Sequence, residues 1–201
     1  MTSTRARVAG LLLTGGKSRR LGVDKSRLVL DGETLATRAE RVLAAVCDPV
    51  LEVGPGVSTL PVAREEPSGG GPLAALAAGG EALRDRGHEG AAILLAVDLP
   101  RVDVGLLSLL RDWSGEPTVV PDDHGNLQPT CARYGPDALL AAQSLVVGGV
   151  RALHSLLDVV DVDIIGPEVW IDVAPAGTFL DVDTPADAER LGIELPGSVT
   201  G

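Results

Sequence analysis

Cysteine is scarce in this chain: Cys47 and Cys131 are the only two in 201 residues, far apart and without CxxC spacing. A disulfide scaffold is therefore not expected, and both thiols are read as reduced, in a cytoplasmic protein. Histidine is almost as rare. His88, His124 and His154 show no metal-ligand spacing, and no HxxxH, CxxC or Ser-His-Asp constellation is present, which argues against zinc and acyl-transfer chemistry. Aromatic residues make up 2% of the chain, and Trp113 and Trp170 read as core anchors, not stacking platforms. Positive charge is in deficit, with 17 Lys and Arg against 28 Asp and Glu, a formal net charge of −11. That balance disfavours general binding to nucleic acid or to anionic membranes. No apolar run approaches the roughly 20 residues that span a bilayer. An apolar N-terminal stretch behind a charged leader is also missing, so secretion is not expected.

What is present is a regular alternation. The length suits one domain over residues 1–201, with a core of about 7–193, and "EEPSGGGP" is too short for an interdomain linker. An apolar strand covers about Val8 to Leu13. A helix is expected from Thr34, because Leu35, Ala39, Val42, Leu43 and Val46 share a face. "PVLEVG" and "LPVARE" read as strands, and "GPLAALAAGGEALRDRG" as a helix opened by Pro72 and weakened in its middle by Gly79 and Gly80. "AAILLAVDLP" is an unbroken buried strand stopping at Asp98. Asp103 caps "DVGLLSLLRDW", and "PTVVP" and "QPTCARY" read as strands. Two helical segments follow between Pro136 and Val160, then short strands near Ile164 and Trp170, then a helix opened by "TPAD". Such alternation defines an α/β fold, a three-layer α/β/α sandwich around a mostly parallel sheet.

Against the acidic background, "LLLTGGKSRRLGVDK" (residues 11–25) packs Lys17, Arg19, Arg20 and Lys25 behind two glycines. Gly10 and Gly15 have the spacing of a phosphate loop, but Gly16 stands where that loop needs lysine, and Leu11 to Leu13 belong to a buried strand. A local grip on a small polyanion such as a nucleoside triphosphate remains. Ligands of open α/β sheets sit at the carboxyl ends of strands, and both this loop and Asp98 fall there. Asp98 is thus a candidate Mg2+ ligand, since that ion needs only one or two protein carboxylates beside phosphate oxygens.

The stretch "LLLTGGKSRRLGVDKSRLVLDGETL" resembles the signature of the molybdenum cofactor guanylyltransferases, approximately L-A-G-G-x-S-x-R-M-G-x-D-K followed by L-x-x-x-G-x-x-L. In order, "GGGPLAALAAG", "LLAVDLP", "LQPTCARY" and "FLDVDTPADAERL" are similar to that family's G-P-L-A-G-L, C-D-x-P, Q-P-x-x-A-x-Y and N-x-N-T-P-E-D-L segments. The resemblance runs from residue 8 to about 191. It implies a Rossmann-like nucleotidyltransferase fold of the GT-A type and a Mg2+-dependent reaction of GTP with Mo-molybdopterin, giving molybdopterin guanine dinucleotide and pyrophosphate. It further implies contact with other molybdenum-cofactor assembly proteins and recipient molybdoenzymes.

Residue by residue, the resemblance makes Lys25 the phosphate-contacting lysine, Arg20 the arginine stabilising departing pyrophosphate, and Asp98 a metal and nucleotide ligand. Lys17 and Arg19 fall at variable positions. Leu13, Thr14, Gly15 and Gly16 match the backbone strip at the base and phosphates, with Thr14 replacing the usual alanine. Gly54 stands where relatives carry a polar residue. Glu65, or Glu66, stands where they carry a base-reading aspartate, and a carboxylate can accept from both N1–H and the 2-amino group of guanine. "DVDTP" departs from the family's asparagines and is spelled as in molybdopterin cytidylyltransferases, so cytosine stays open as the base. Asp183 is the second candidate metal ligand, and Asp181 faces the same way if the segment is extended. Gln128, Pro129 and Thr130 match the family's pterin-facing strand, and Arg151, near the start of a helical segment, is a candidate for the pterin phosphate. A nucleotide-binding adaptor without turnover is the alternative from another class.

Overall fold

The computed structural model describes residues 7–15, 21–66 and 69–195. Strand β1 (Ala9–Leu13) is buried at every position. After it come a 3-10 turn (Lys25–Arg27) and a hairpin of β2 (Val29–Leu30) and β3 (Glu33–Thr34). Asp31 and Gly32 both have positive φ at the tip of that hairpin, as a two-residue type I′ turn requires. Helix α1 (Leu35–Ala44) starts where the Thr34 side chain accepts from the Thr37 N–H. The chain continues through β4 (Val50–Val53), β5 (Val62–Ala63), α2 (Pro72–Arg84), β6 (Ala92–Ala96) and α3 (Val104–Asp112). Then follow β7 (Thr118–Asp123), β8 (Asn126–Leu127), β9 (Cys131–Tyr134), α4 (Pro136–Val147) and α5 (His154–Leu157). Last come β10 (Val162–Ile165), α6 (Pro167–Trp170) and α7 (Pro185–Leu191).

The main sheet has the order β10-β7-β9-β6-β1-β4-β5, with β8 paired to β7. Strands β5, β4, β1 and β6 run parallel to one another, as do β7 and β10, while β9 is antiparallel to both β6 and β7. Alternation along the strands feeds two cores. Leu12, Ile93, Leu95 and Val119 pack on the side of α1, α3 and α7, whereas Leu11, Leu13, Leu94 and Val120 pack against α2 and α4. The expected three layers and mostly parallel sheet are thus present. Among the described residues no helix is long and apolar enough to cross a membrane, and Cys47 and Cys131 are free and buried, with burial pushing both thiols up to about 12.

Several expectations need correction. Strand β6 stops at Ala96, two residues short of Asp98. The Val97 N–H still donates to the Leu13 carbonyl at 3.0 Å, but the chain then turns. Trp170 lies in a helical turn, not a strand: Pro167 opens that turn, and the ring packs edge-on against Phe179 at 5.0 Å. Gln128–Thr130 precede β9 instead of forming part of it. The Gly79–Gly80 pair does more than weaken α2. A Cβ on Gly79 would lie 2.8 Å from the Leu11 side chain, and one on Gly80 would lie 3.3 Å from Leu139, so the pair lets α2 approach β1 and α4 closely.

Candidate active site

Because β1, β4, β5 and β6 are parallel, their carboxyl ends share one edge of the sheet, and antiparallel β9 begins at the same edge. Thr14 and Gly15 follow β1 there, Gly54 follows β4, Glu65 follows β5, and Asp98 follows β6. The C-terminal segment joins them, since the Val182 N–H donates to the backbone carbonyl of Asp98 at 3.1 Å. Val182 is fully buried, which holds Asp181 and Asp183 on either side of an anchored residue.

Lys25 is brought to this edge by the 3-10 turn. Asp24 caps the turn by accepting from the Ser26 N–H at 3.0 Å and the Ser26 hydroxyl at 2.6 Å, and Leu28 behind it is fully buried. The Lys25 Nζ donates to Asp98 Oδ2 at 2.8 Å and also to Asp183 Oδ1. Burial pulls the Lys25 ammonium down, but the charges and hydrogen bonds of Asp98 and Asp183 outweigh it, and its pKa lies above the ordinary 10.5. Burial, and then the negative charges of Asp183 and Asp98, raises the Asp181 carboxyl above the usual aspartate range. Three carboxylates therefore share one field, and among the described residues the Lys25 ammonium is the cation that bridges two of them.

One Nζ reaches both Asp98 and Asp183, so these carboxylates are neighbours with the Lys25 ammonium between them. An all-oxygen pair with a third acid nearby suits a hard divalent cation. Among the described residues no three His, Cys, Asp or Glu side chains form a complete cation cage. Two carboxylates suffice for Mg2+ when phosphate oxygens complete its shell, so the residues present fit that ion.

The β4–β5 end differs in character. Gly54 carries no polar side chain, and its role is steric: a Cβ there would lie 2.2 Å from Thr14 Oγ1. Of the expected backbone strip, the Leu13 carbonyl accepts from Val97 and the Thr14 N–H donates to Val53. The Thr14 carbonyl and the Gly15 N–H have no backbone partner among the described residues. Glu65 Oε2 accepts from the Gly70 N–H at 2.8 Å, which ties it across the loop before α2, whereas Glu66 is exposed. Gly16, Lys17, Arg19 and Arg20 lie outside the described residues.

On the acceptor side, the Thr130 carbonyl accepts from the Ala96 N–H at 2.8 Å and the Pro129 carbonyl from the Tyr134 hydroxyl at 2.6 Å. The Gln128 amide donates to the Asn126 carbonyl at 3.0 Å. Arg151 is exposed, and its backbone carbonyl lies beside Gly71, the residue preceding α2. The Thr184 cap is a full capping box with Asp187, so the acids of "DVDTP" precede a helix start and one of them also reaches Lys25.

One buried acid escaped the sequence reading. Glu52 sits inside β4 with 0% exposure, and its carboxylate accepts from the Thr14 hydroxyl and from the loop after β4. The only signal was a charged residue inside the apolar run "PVLEVG". Burial acts to raise its pKa, but the hydrogen bonds from Ser58, Thr14 and Val57 win, holding it at about 2 against an ordinary 4.5. A depressed pKa contributes stability that is present above the ordinary value and lost as pH falls toward the depressed one, here on the order of 3 kcal/mol. Unfolding free energies of wild type and Glu52→Gln should therefore differ at neutral pH and converge as pH falls from about 4.5 to about 2. Parallel curves would remove Glu52 as the source of acid sensitivity.

A carboxyl-end edge of parallel strands is where open α/β sheets hold their ligands, and here it gathers a lysine, two aspartates and a glycine-bearing strand end. The sequence matches the MobA-like NTP transferase domain over residues 10–160, and the chain belongs to that family. It is 32% identical over 195 residues to the "Probable molybdenum cofactor guanylyltransferase" of Chloroflexus aggregans, covering 90% of this chain and 91% of the relative. It is 36% identical over 193 residues to the protein of the same name from Mycobacterium marinum, covering 90% of each. The fold is similar to the crystal structure of molybdopterin-guanine dinucleotide biosynthesis protein A from Archaeoglobus fulgidus. The TM-score is 0.77 at 22% identity, over 92% of this chain and 96% of that one.

Proposed function

We propose that this enzyme transfers GMP from GTP to Mo-molybdopterin, releasing pyrophosphate, with Mg2+ held by Asp98 and Asp183. The observation that carries the reading is the meeting of Lys25 with both aspartates at the strand-end edge, in a chain whose relatives bear the guanylyltransferase name. The acceptor phosphate attacks the α-phosphorus, so negative charge grows on the α-phosphoryl oxygens and on the leaving pyrophosphate. No protein nucleophile is needed, and the chain's task is positioning and charge neutralisation. Lys25 contacts the phosphates, and Arg20 stabilises the leaving pyrophosphate. When bound, Mg2+ supplies Lewis-acid neutralisation of phosphate oxygens. Gly15 and Gly16 let the chain's backbone approach the nucleotide closely, Glu65 reads the base, and Gln128, Pro129, Thr130 and Arg151 face the acceptor. One domain spanning 1–201 carries all of these in the cytoplasm, handing product to other cofactor-assembly proteins or recipient molybdoenzymes.

The spelling of Asp181-Val182-Asp183, with its shared negative field, favours a second reading in which CTP replaces GTP. Purified protein incubated with Mg2+, molybdate-loaded molybdopterin and each nucleotide in turn tests both. Dinucleotide formed from GTP and not from CTP is the expected result, and no product with any nucleotide would leave only an adaptor.

Base choice gives a sharper test. Glu65 is the better placed acid because its carboxylate is tied to Gly70. Glu65→Gln should lower the GTP-over-CTP ratio of kcat/KM tenfold or more, about 1 to 3 kcal/mol, because an amide offers one carbonyl to two donors. Glu66→Gln, measured beside it, should leave the ratio unchanged. Indifference to both would move base reading to the backbone.

A further inference from the structure

Glu52 has no part in the reaction as described above, yet it is the most heavily hydrogen-bonded acid at this edge. Its Oε1 accepts from the Thr14 hydroxyl at 2.5 Å, the Gly56 N–H at 2.8 Å and the Val57 N–H at 2.9 Å. Its Oε2 accepts from the Val57 N–H at 3.0 Å and from the Ser58 N–H and hydroxyl at 2.8 and 2.5 Å. A carboxylate offers about four lone-pair sites. With no exposed surface, Glu52 is saturated and cannot touch a ligand. What it does is join the end of β1, through Thr14, to the loop after β4.

The join has a directional consequence. In a trans peptide the N–H and C=O point to opposite sides. Turning the N–H groups of Gly56, Val57 and Ser58 onto Glu52 therefore turns the carbonyls of Pro55, Gly56 and Val57 away from it. None of these three carbonyls has a backbone partner among the described residues, and Pro55 and Gly56 are exposed. Gly54 seats the loop against Thr14, since any side chain there would strike the Thr14 hydroxyl. The result is a short run of carbonyl acceptors turned away from Glu52, in a loop whose first residue, Gly54, adjoins Gly15.

We infer that Glu52 is a positioning residue for base selectivity: it orients the 54–58 loop so that one of its carbonyls accepts the 2-amino hydrogen of guanine that a bidentate contact with Glu65 leaves over. The inference rests on the nucleotide-transfer reading and adds to it a residue that acts through the loop. Such an acceptor favours guanine over hypoxanthine, which lacks the 2-amino group, and over cytosine, whose edge mixes an acceptor with one amine.

The test compares kcat/KM for GTP, ITP and CTP in wild type, Glu52→Gln and Thr14→Val, with thermal unfolding followed alongside. Glu52→Gln keeps the shape but sets an NH2 group against backbone N–H donors. It should lower the GTP-over-ITP ratio at least fivefold while ITP use changes less than GTP use. A folded variant that loses GTP and ITP activity by the same factor, or loses neither, makes Glu52 structural only and overturns the inference. If Glu52→Gln does not fold, Thr14→Val decides on the same ratio, which must fall for the inference to stand. A wild type that prefers CTP overturns the guanine reading itself, and the carbonyl acceptor with it. A wild-type GTP preference that survives both substitutions overturns the role of Glu52 alone.

Discussion

Asp98→Ala should lower nucleotidyl transfer by roughly a thousandfold or more, about 4 kcal/mol of transition-state stabilisation, while the protein stays folded. The side chain is 28% exposed and its hydrogen bond within the described residues is to Lys25, so its loss opens no core cavity. The contact that ties the C-terminal segment to this strand end uses the Asp98 backbone carbonyl, which alanine retains. What disappears is one of two neighbouring carboxylates, and with it half of the proposed Mg2+ site. Asp98→Asn should be nearly as inactive, since it keeps the volume and loses the charge. The check is single-turnover transfer at saturating Mg2+ and GTP, with circular dichroism to establish folding. Turnover within tenfold of wild type in a folded Asp98→Ala protein would remove Asp98 from the mechanism.

Lys25→Ala should cost a hundredfold or more, about 3 kcal/mol. Its ammonium is shared by Asp98 and Asp183, whose charges and hydrogen bonds raise its pKa above the ordinary value. Lys25→Arg should recover only a little, because a planar guanidinium cannot replace a compact ammonium held between two carboxylates. The loss should fall mainly on kcat, as expected for a charge that neutralises the phosphate oxygens as they gain negative charge in the transition state. A folded Lys25→Ala enzyme changed only in KM would make Lys25 a binding residue and nothing more.

How far the sequence could be read depended on the range of the interactions involved. Capping is local: Asp103 and Thr184 cap the helices expected of them, and the helix expected from Thr34 starts there, with the Thr34 side chain as its cap. Core strands announce themselves by apolar runs, so β1 and β6 were legible, although β6 ends early because the sheet register, not hydrophobicity, decides where pairing stops. "EVWIDV" could not be told from a strand, since four residues hold too little periodicity to separate a helical turn from an extended one. Asp98 stood out at the end of an apolar run, and Lys25 and Asp183 were assigned by the family resemblance. Glu52 was not, because a lone acid in an apolar strand gives no sign of the donors that will surround it.

By itself the sequence determined the alternation of strands and helices, the ends of the well-capped helices, and the identity of the charged residues at strand ends. All of these follow from periodicity and side-chain chemistry within a few neighbouring residues. Only the tertiary structure decided which of those residues meet. Lys25 reaches Asp98 across 73 positions and Asp183 across 158, and Thr14 reaches Glu52 across 38. The strand order sets those distances: β1 lies between β4 and β6, so groups remote along the chain come to one edge. No local pattern encodes that order, because it depends on how both faces of the whole sheet are buried at once.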